Sequence, residues 1–493
     1  MNIVVLGAGT AGLITALMLR EKYPTFNITI VKSGEIGIIG VGEGSTEHWI
    51  DFMNFVGISF SEVIAETKAT VKIGILFKDW IPGKQYVHSL SHGDISALGR
   101  PETFNHLLLS NSGQEFPLAG HFEHTYYKNN IPITNSLLVS NQYHFDTFAL
   151  NAFLVKISKS RNINFIDCVV QDVEQDVNGN ITSLIHNSTE KIAGDFFIDC
   201  SGFKRVLMTK VGSNWVSKSK YLPMNHAIAF PTEFDDCNSI EPYTTSTALS
   251  SGWSWKIPTQ ERYGNGYVFC DSYINSDQAL NEISLSLGKN IEKVARDIKF
   301  DAGCVDKFWN KNVVCVGLSS SFAEPLEAQS IGFTIIQAKL LNSYLEAWVI
   351  NPKISEIYNK KLTSIFNNII SYLQLHYLTP RIDTEFWQDK PFELTDTIKD
   401  NIDAFKQGVI TPSLFDEPNF MFKLFNWYQV LAGLELIDKE KLAEQLSKNR
   451  QEYNHEQFTR AMRIRDSHRD TSWYSHKQYI EIVKNNWKMK NEG

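Results

Sequence analysis

Hydrophobic and polar positions near the N-terminus follow the pattern of a strand, a turn and a helix. Four consecutive apolar side chains at residues 3–6 suit a buried strand and run directly into a turn with three glycines. An apolar stripe with helical spacing follows at residues 13–18, and a second apolar strand occupies residues 28–31. The pattern predicts a βαβ unit, in which a helix connects two parallel strands.

Gly7, Gly9 and Gly12 have the spacing of a dinucleotide-binding turn. The first glycine permits a tight turn, the second lets a pyrophosphate approach the backbone, and the third lets the helix pack on the strand. The N–H groups and the dipole at the start of the helix favour an anion there. Because the turn lies at the start of a 493-residue chain, as is usual in FAD enzymes, FAD is the expected cofactor.

The residue after the second strand departs from the usual nucleotide-binding pattern. An acidic residue normally ends this strand and binds the ribose hydroxyls. Lys32 stands at that position here, with Ser33 and Glu35 nearby. Either Glu35 or a backbone group takes over the role, or the ribose is held in another way.

The remaining chain alternates between helical and extended patterns. Helices are predicted for residues 49–67 and 143–154 and from about residue 334 onward, and strands for residues 70–77, 163–171, 192–199 and 313–318, with a β-rich stretch at 220–272. Lys72 falls inside one of these strands, where a lysine is most often a snorkelling side chain. The order predicts an α/β fold with an interlaced β-rich region and a helical C-terminal part.

Composition limits which cellular compartment and which classes of binding partner are expected. The net charge is −8, from 47 basic and 55 acidic side chains, which argues against a nucleic acid or an anionic membrane as partner. Since no run of eighteen apolar residues occurs, we expect no membrane span. Six cysteines lie far apart without a CxxC pair, which indicates ordinary thiols in a reducing compartment and no metal site. A cytoplasmic protein is expected.

Several separate stretches together resemble the flavin-dependent tryptophan halogenases. In chain order they are Gly7-Ala-Gly-Thr-Ala-Gly12, Gly40-Val-Gly-Glu43, Lys72 before Gly74-Ile-Leu-Phe77, Tyr143-His-Phe-Asp146, Asp199-Cys-Ser-Gly-Phe203, Gly252-Trp-Ser-Trp-Lys-Ile-Pro258, Gly317-Leu-Ser before Glu324-Pro-Leu-Glu327, His376-Tyr377 and Asp383-Thr-Glu-Phe-Trp387. The glycine turn alone is unspecific, whereas the tryptophan element, the lysine and the Glu-Pro-Leu-Glu turn in this order are specific. The resemblance extends to about residue 390.

This resemblance implies a particular architecture and cofactor. Residues 1–345 would form an FAD-binding, Rossmann-like core of the flavoprotein monooxygenase type with inserted substrate loops and sheet, and residues 346–493 a helical region that covers the substrate. FAD would act as FADH2, together with O2 and a halide ion. The positions expected to contact the cofactor are Gly7, Gly9, Thr10, Ala11, Gly12, Ser33, Ile36, Ile39, Val41, Gly44, Val170, Leu318 and Ile331.

The resemblance also implies a reaction and its residues. Halide would be oxidised to hypohalous acid, which Lys72 relays to an electron-rich aromatic ring such as an indole or phenol. An ammonium group can donate hydrogen bonds to this oxidant, and Glu327 can take the proton that leaves the ring. Trp253 and Trp255 would fill the space beside the flavin and keep organic substrate away, although packing in a core explains them equally well.

The halide and substrate positions match less closely. In tryptophan-specific members the halide is held where Gln329 and Ser330 follow Ala328, but those members commonly have Thr and Gly there. A flexible amide suits a larger ion, which predicts that bromide or iodide is used in preference to chloride. Alternatively, Gln329 points away and backbone N–H groups bind the halide as usual. Weaker substrate-contact matches are His88, Leu90, Trp427 and Tyr428.

Two other functions stay open from the sequence. An FAD monooxygenase that hydroxylates an aromatic ring would use the flavin features without halide, but would leave Lys72 and Glu327 unexplained. A reduced-flavin carrier would bind flavin without turnover. The sequence offers no second dinucleotide turn of comparable quality, so a separate flavin reductase is expected to supply reduced FAD. A homo-oligomer is left open.

Overall fold

A computed structural model describes residues 1–35, 37, 43–89, 105, 108–109, 130–132, 142–187, 189–236, 239–292, 294–409, 417–448 and 473–492. The chain forms two compact units, each built from three separate stretches. The first unit comprises Met1–Thr67, Phe145–Ser219 and Asp301–Asn367, and the second comprises Lys68–His144, Lys220–Phe300 and Asn368–Gly493. The division predicted at residue 345 falls inside a helix and stays a prediction.

The strands and helices follow one another closely along the chain. The strands are β1 Asn2–Leu6, β2 Asn27–Lys32, β3 Glu43–Gly44, β4 Thr70–Val71, β5 Gly74–Lys78, β6 Gln85–Ser89, β7 Asn130–Pro132, β8 Tyr143–Phe145, β9 Asn164–Asp167, β10 Val170–Gln175, β11 Ile181–His186, β12 Glu190–Ala193, β13 Phe196–Asp199, β14 Trp215–Ser217, β15 His226–Thr232, β16 Thr244–Leu249, β17 Gly252–Pro258, β18 Tyr263–Phe269, β19 Arg296–Lys299, β20 Gly303–Val305, β21 Trp309–Asn310, β22 Val313–Cys315, β23 Ser321–Phe322 and β24 Trp473–Ser475. The helices are α1 Thr10–Lys22, α2 His48–Val56, α3 Phe60–Glu66, α4 Thr147–Ser160, α5 Val206–Lys210, α6 Ser276–Leu287, α7 Gln329–Ile350, α8 Ile354–His376, α9 Glu385–Asp389, α10 Asp396–Lys406, α11 Leu424–Gly433, α12 Lys439–Lys448 and α13 His476–Glu492.

A six-stranded sheet organises the first unit. Its order is β21-β22-β13-β1-β2-β9, and every neighbouring pair is parallel except β21 with β22. Parallel sheets need cover on both faces, which explains why β1 is apolar and buried after its first residue. Helix α1 packs against α4 and α7. The predicted βαβ unit is therefore β1-α1-β2, at the centre of the sheet.

Several predicted elements of the first unit are divided in the structure. The helix predicted at 49–67 is two helices, because Gly57 ends α2 in the left-handed region at φ +65° and Ser59 starts α3 with a capping box. The strand predicted at 163–171 divides into β9 and β10, which belong to different sheets. Asp146 caps α4 through the N–H groups of the following turn, so the helix begins after the predicted position.

A seven-stranded sheet with the order β19-β15-β18-β17-β16-β5-β6 organises the second unit. Its neighbours are antiparallel except β16 with β5. Helix α6 covers part of it, since Ala279 and Ile283 join a buried cluster with Ile228 and Phe269. In the described part of the chain, no helix is long and apolar enough to cross a membrane.

Candidate functional site

The turn after β1 requires glycine at two of its three positions. Gly7 has φ +116°, and a Cβ there would lie 2.3 Å from the carbonyl oxygen of Cys200. A Cβ on Gly12 would lie 2.0 Å from the carbonyl oxygen of Gly7. The N–H of Gly7 donates to the carbonyl of Val31 at 2.8 Å, which fixes the turn on the end of β2.

Gly9 differs from these two because its surroundings are open. A Cβ on Gly9 would meet no described heavy atom within 4 Å, although the residue precedes α1 directly as its N-cap. Among the residues that the structure describes, no side chain caps the helix, and its first turn, with Thr10 and Ala11, carries no acidic residue. Open space before uncapped N–H groups fits a pyrophosphate, so these residues suit the FAD that the sequence predicts.

A second turn of the first unit packs against the start of α1. Leu318 is half-buried in a short 3₁₀ turn, and a Cβ on the preceding Gly317 would lie 2.5 Å from the Cβ of Ala11. The side chain of Gln337 holds this turn, accepting from the N–H of Gly317 at 3.0 Å and donating to the Ser320 hydroxyl at 2.7 Å. Gln337 lies on α7, and no sequence motif points to it.

The other predicted cofactor positions are scattered over the first unit. Gly44 is buried in β3, Ile331 is buried in the first turn of α7, and Ser33 and Val170 are half-buried. Their contact with a cofactor stays a prediction. Three further positions lie outside the described residues, namely Ile36, Ile39 and Val41.

The last residue of β2, Lys32, has an acidic neighbour that lies far away in the sequence. The Nζ of Lys32 lies 2.8 Å from Oδ2 of Asp167, the last residue of β9. The N–H of Gly34 donates to Oδ1 of the same carboxylate at 3.0 Å. The hydrogen bond from Lys32, and then that from Gly34, lower the pKa of Asp167. A local pattern does not reveal this pair because strand pairing brings it together.

Glu327 occupies an unusual backbone turn before α7. It is buried with φ +69°, and the next residue, Ala328, has φ +53°. Two successive non-glycine residues in the left-handed region are costly and occur mostly at functional sites. The side-chain amide of Gln329 donates to the carbonyl of Glu324 at 3.1 Å, while Ser330 is exposed. Gln329 is therefore anchored to the turn by its amide nitrogen.

Lys72 lies in the second unit and is fully buried. The predicted continuous strand is interrupted here, since Lys72 and Ile73 separate β4 from β5. Both N–H groups donate outside the seven-stranded sheet, that of Lys72 to the carbonyl of Gln142 at 2.9 Å and that of Ile73 to Pro242 at 2.8 Å. The single strand predicted for residues 70–77 is therefore wrong at this point, and the lysine sits at a break between two strands.

Two buried histidines surround this break. The Thr70 hydroxyl donates to the carbonyl of Pro258 at 2.7 Å, so it accepts from Nδ1 of His144 at 3.0 Å. Nε2 of His144 then accepts from Thr244 at 2.9 Å. Burial, followed by the charges of Lys72 and His476, lowers the pKa of His144 well below its usual range. Because His144 is neutral, it places no second positive charge near the ammonium group of Lys72.

The paired tryptophans lie on one face of β17. Trp253 and Trp255 are buried with ring centroids 6.1 Å apart, and a Cβ on Gly266 would lie 2.1 Å from the Trp255 ring. Ser246 is the cross-strand partner of Trp255. Within the described residues, neither the Trp255 Nε1 nor the Ser246 hydroxyl has a hydrogen-bond partner. This face therefore combines close packing with two buried polar groups.

The weak substrate matches are buried in the second unit. Asn426 accepts from the N–H of Lys423 at 2.8 Å, so its amide nitrogen donates to Nε2 of His88 at 2.9 Å. Trp427 packs near Phe405, with ring centroids 5.6 Å apart, and Tyr428 is fully buried. Leu90 lies outside the described residues. Substrate contact by these residues stays a prediction.

The structure brings some predicted site residues together and leaves others in separate units. Gly317, the residue before Leu318, lies against Ala11 in the first unit, and Lys72 lies near His144 in the second. Lys72 and Glu327 belong to different units, so their joint action stays a prediction.

Comparison with known proteins adds independent information. A family model described as tryptophan halogenase matches residues 2–448. The chain is 29% identical to tryptophan 7-halogenase KtzQ of Kutzneria sp., covering 90% of each chain. It is 30% identical to tryptophan 6-halogenase SttH of Streptomyces toxytricini, covering 82% of this chain and 84% of the relative. The solved structure of Tar14, a tryptophan C-6 flavin-dependent halogenase (chlorinase) from taromycin biosynthesis, has a TM-score of 0.87 at 25% identity, covering 98% of this chain and 99% of that one. The match confirms the predicted α/β flavoprotein fold.

Proposed function

The chain belongs to the tryptophan halogenase family and is a flavin-dependent halogenase that uses FADH2, O2 and halide; from this premise we propose that it halogenates an electron-rich aromatic ring through Lys72. Bound FADH2 and O2 supply the oxidising power that converts halide to hypohalous acid. An indole is the first substrate to test, because the relatives above are named as tryptophan halogenases.

The burial of Lys72 is the observation that carries this proposal. A fully buried ammonium group is expensive unless its surroundings stabilise it, so such a residue points to function. Two N–H contacts hold the chain on either side of the residue, and the buried histidine next to it is neutral. A fixed ammonium that donates to hypohalous acid makes the halogen more electrophilic. Aromatic hydroxylation has no corresponding use for it.

Glu327 is proposed as the base that takes the proton from the halogenated ring. Its left-handed backbone and buried position are the support for this role, because such conformations persist where the surrounding structure enforces them. A carboxylate that is held rigidly is an effective general base.

The turn that follows Glu327 is proposed to bind the halide. Consecutive N–H groups in a turn with left-handed residues form an anion-binding concavity, and here they lead into the N-terminus of α7 at Ala328 and Gln329. Gln329 and Ser330 replace a compact Thr-Gly pair and so change the donor geometry around the halide, and Ser330 adds an exposed hydroxyl. We propose that bromide or iodide is used in preference to chloride.

The remaining assignments concern the surroundings of the reaction. Trp253 and Trp255 are proposed to separate organic substrate from the flavin, and His88 with Trp427 and Tyr428 to shape the substrate region, covered by residues 346–493. A separate reductase is proposed to supply reduced FAD in the cytoplasm.

The test combines the purified protein with a flavin reductase, FAD, one halide at a time and a panel of indoles and phenols. Mass spectrometry should find a halogenated product that requires halide. A hydroxylated product that forms equally without halide would instead establish the monooxygenase alternative. Flavin binding without any product from the whole panel would favour a reduced-flavin carrier.

A further inference from the structure

The parallel pairing of β2 and β9 places the last residues of the two strands side by side. Lys32 and Asp167 are direct partners in the register, and the N–H of Cys168 donates to the carbonyl of Lys32 at 2.8 Å. Parallel strands end at the same edge of a sheet, where doubly wound folds bind nucleotides. Asp167 therefore occupies the same edge as the residue that usually binds ribose.

The glycine turn connects this edge with the cofactor. Gly7 donates to the carbonyl of Val31, the residue directly before Lys32. A nucleotide whose pyrophosphate lies over Gly9 consequently extends its adenosine ribose across the end of β2. Ribose hydroxyls donate hydrogen bonds and need an acceptor, which an ammonium group does not provide.

The geometry of the ion pair leaves the carboxylate usable by a ligand. Lys32 occupies one lone pair of Oδ2 and Gly34 one lone pair of Oδ1, whereas an ionised carboxylate has about four acceptor positions. The Asp167 side chain is 57% exposed, so the remaining positions are accessible. Asp167 balances the charge of Lys32, so Lys32 does not offer a site for an additional phosphate.

We propose that Asp167, oriented by Lys32, binds the ribose hydroxyls of the FAD adenosine in place of the acid that normally follows the second strand. The proposal rests on the FAD site assigned above. The acid has moved to the neighbouring strand, and the lysine that replaced it holds it in place.

Binding of ADP and of 2′,3′-dideoxy-ADP, measured by displacement of FAD with flavin fluorescence, tests this directly. The wild-type protein should bind ADP about 10- to 100-fold more tightly than the dideoxy compound, as expected for hydrogen bonds to a charged group. In Asp167→Asn the affinities for ADP and for the dideoxy compound should differ by no more than about threefold. The affinity for FAD should fall by a factor similar to the loss in this ratio. Lys32→Glu combined with Asp167→Asn should restore the ratio, because the acid returns to its usual strand.

Two control variants make the result specific. Asp172→Asn removes the carboxylate of an equally exposed pair, with Lys210 at 2.7 Å, and should leave the ratio unchanged. Glu35→Gln tests the other nearby acid. An unchanged ratio in Asp167→Asn, or a loss confined to Glu35→Gln, would overturn the proposal. Failure of wild-type protein to bind FAD at all would instead contradict the cofactor assignment, so the two failures are distinguishable.

Discussion

Nε2 of His476 accepts a hydrogen bond from the N–H of Val71 at 3.0 Å, one residue before Lys72. Its Nδ1 is 3.1 Å from the carbonyl of Ile240, to which it donates, so the buried ring is the neutral Nδ1-H tautomer. His476 is the first residue of α13, so this helix is tied directly to the strand that precedes Lys72. If Nε2 were protonated, its N–H would face the N–H of Val71, and the hydrogen bond between the two residues would be lost.

The neutral state of His476 predicts a loss of stability in mild acid. Burial lowers its pKa to about 4, against a partial opposing effect of Ile240 and Glu241. A depressed histidine pKa means that the unfolded chain binds the proton more readily, so the contribution is complete above about pH 6.5 and is lost as the pH falls towards 4. Between pH 7 and pH 5 the free energy of unfolding should fall by on the order of 2 kcal/mol from this group.

Urea unfolding of His476→Gln across this pH range provides the measurement. Glutamine does not titrate, so the variant should be less stable than wild type at pH 7 but should lose less stability by pH 5. Identical slopes in wild type and His476→Gln would show that another group is responsible.

Lys72→Ala is expected to abolish halogenation while flavin binding continues. The ammonium is the proposed donor to hypohalous acid, and no other lysine is proposed for that role. Lys72→Met retains the volume of the buried stem and should be equally inactive, which separates loss of charge from loss of packing. Lys78→Met, on the adjacent strand β5, is the matched control. Halogenation by Lys72→Met at a rate comparable to wild type would remove this lysine from the mechanism.

The parts that sequence predicts best are those in which neighbours along the chain determine the structure. The β1-α1-β2 unit follows from local apolar spacing and three glycines, and the structure has it as predicted. The sequence predicts Lys72 as a site residue, but its position at a strand break depends on hydrogen bonds to Gln142 and Pro242. Long-range pairing likewise brings Asp167 to Lys32. Such contacts leave no periodic signal in either segment, so they become visible only in three dimensions.

Glu327→Gln should lower the rate of halogenation by roughly two to four orders of magnitude, the usual effect of losing a positioned base. The amide keeps the size of the side chain but does not accept the proton. The loss should appear as a lower rate of product formation in a single turnover with FADH2, O2 and halide in excess. The affinity for FAD should be retained. Glu324→Gln tests the other glutamate of the same turn, and a larger loss there would assign the base to Glu324.

Gly9→Val is expected to fold but not to bind FAD. Its φ of −71° and ψ of 177° are accessible to valine, and no described atom would collide with the new Cβ, so the side chain occupies the proposed pyrophosphate space. Gly12→Ala provides a contrast, because its Cβ would collide with Gly7 and should lower the thermal unfolding midpoint. A folded Gly9→Val protein with wild-type FAD affinity would mean that the cofactor lies elsewhere.

The halide preference is the last prediction, and it depends on the turn before α7. Chloride is small and strongly hydrated, so its site has to supply close donors that replace the lost water, whereas bromide and iodide lose water more easily and are easier to oxidise. Gln329 and Ser330 replace a compact Thr-Gly pair, which changes the donor geometry around the halide, and the Gln329 amide nitrogen donates to the carbonyl of Glu324. With equimolar halides in one reaction, brominated or iodinated product should therefore predominate. Gln329→Thr with Ser330→Gly should shift the mixture towards chloride by several-fold. Predominantly chlorinated product from the wild-type enzyme would contradict the prediction and favour ordinary binding by backbone N–H groups.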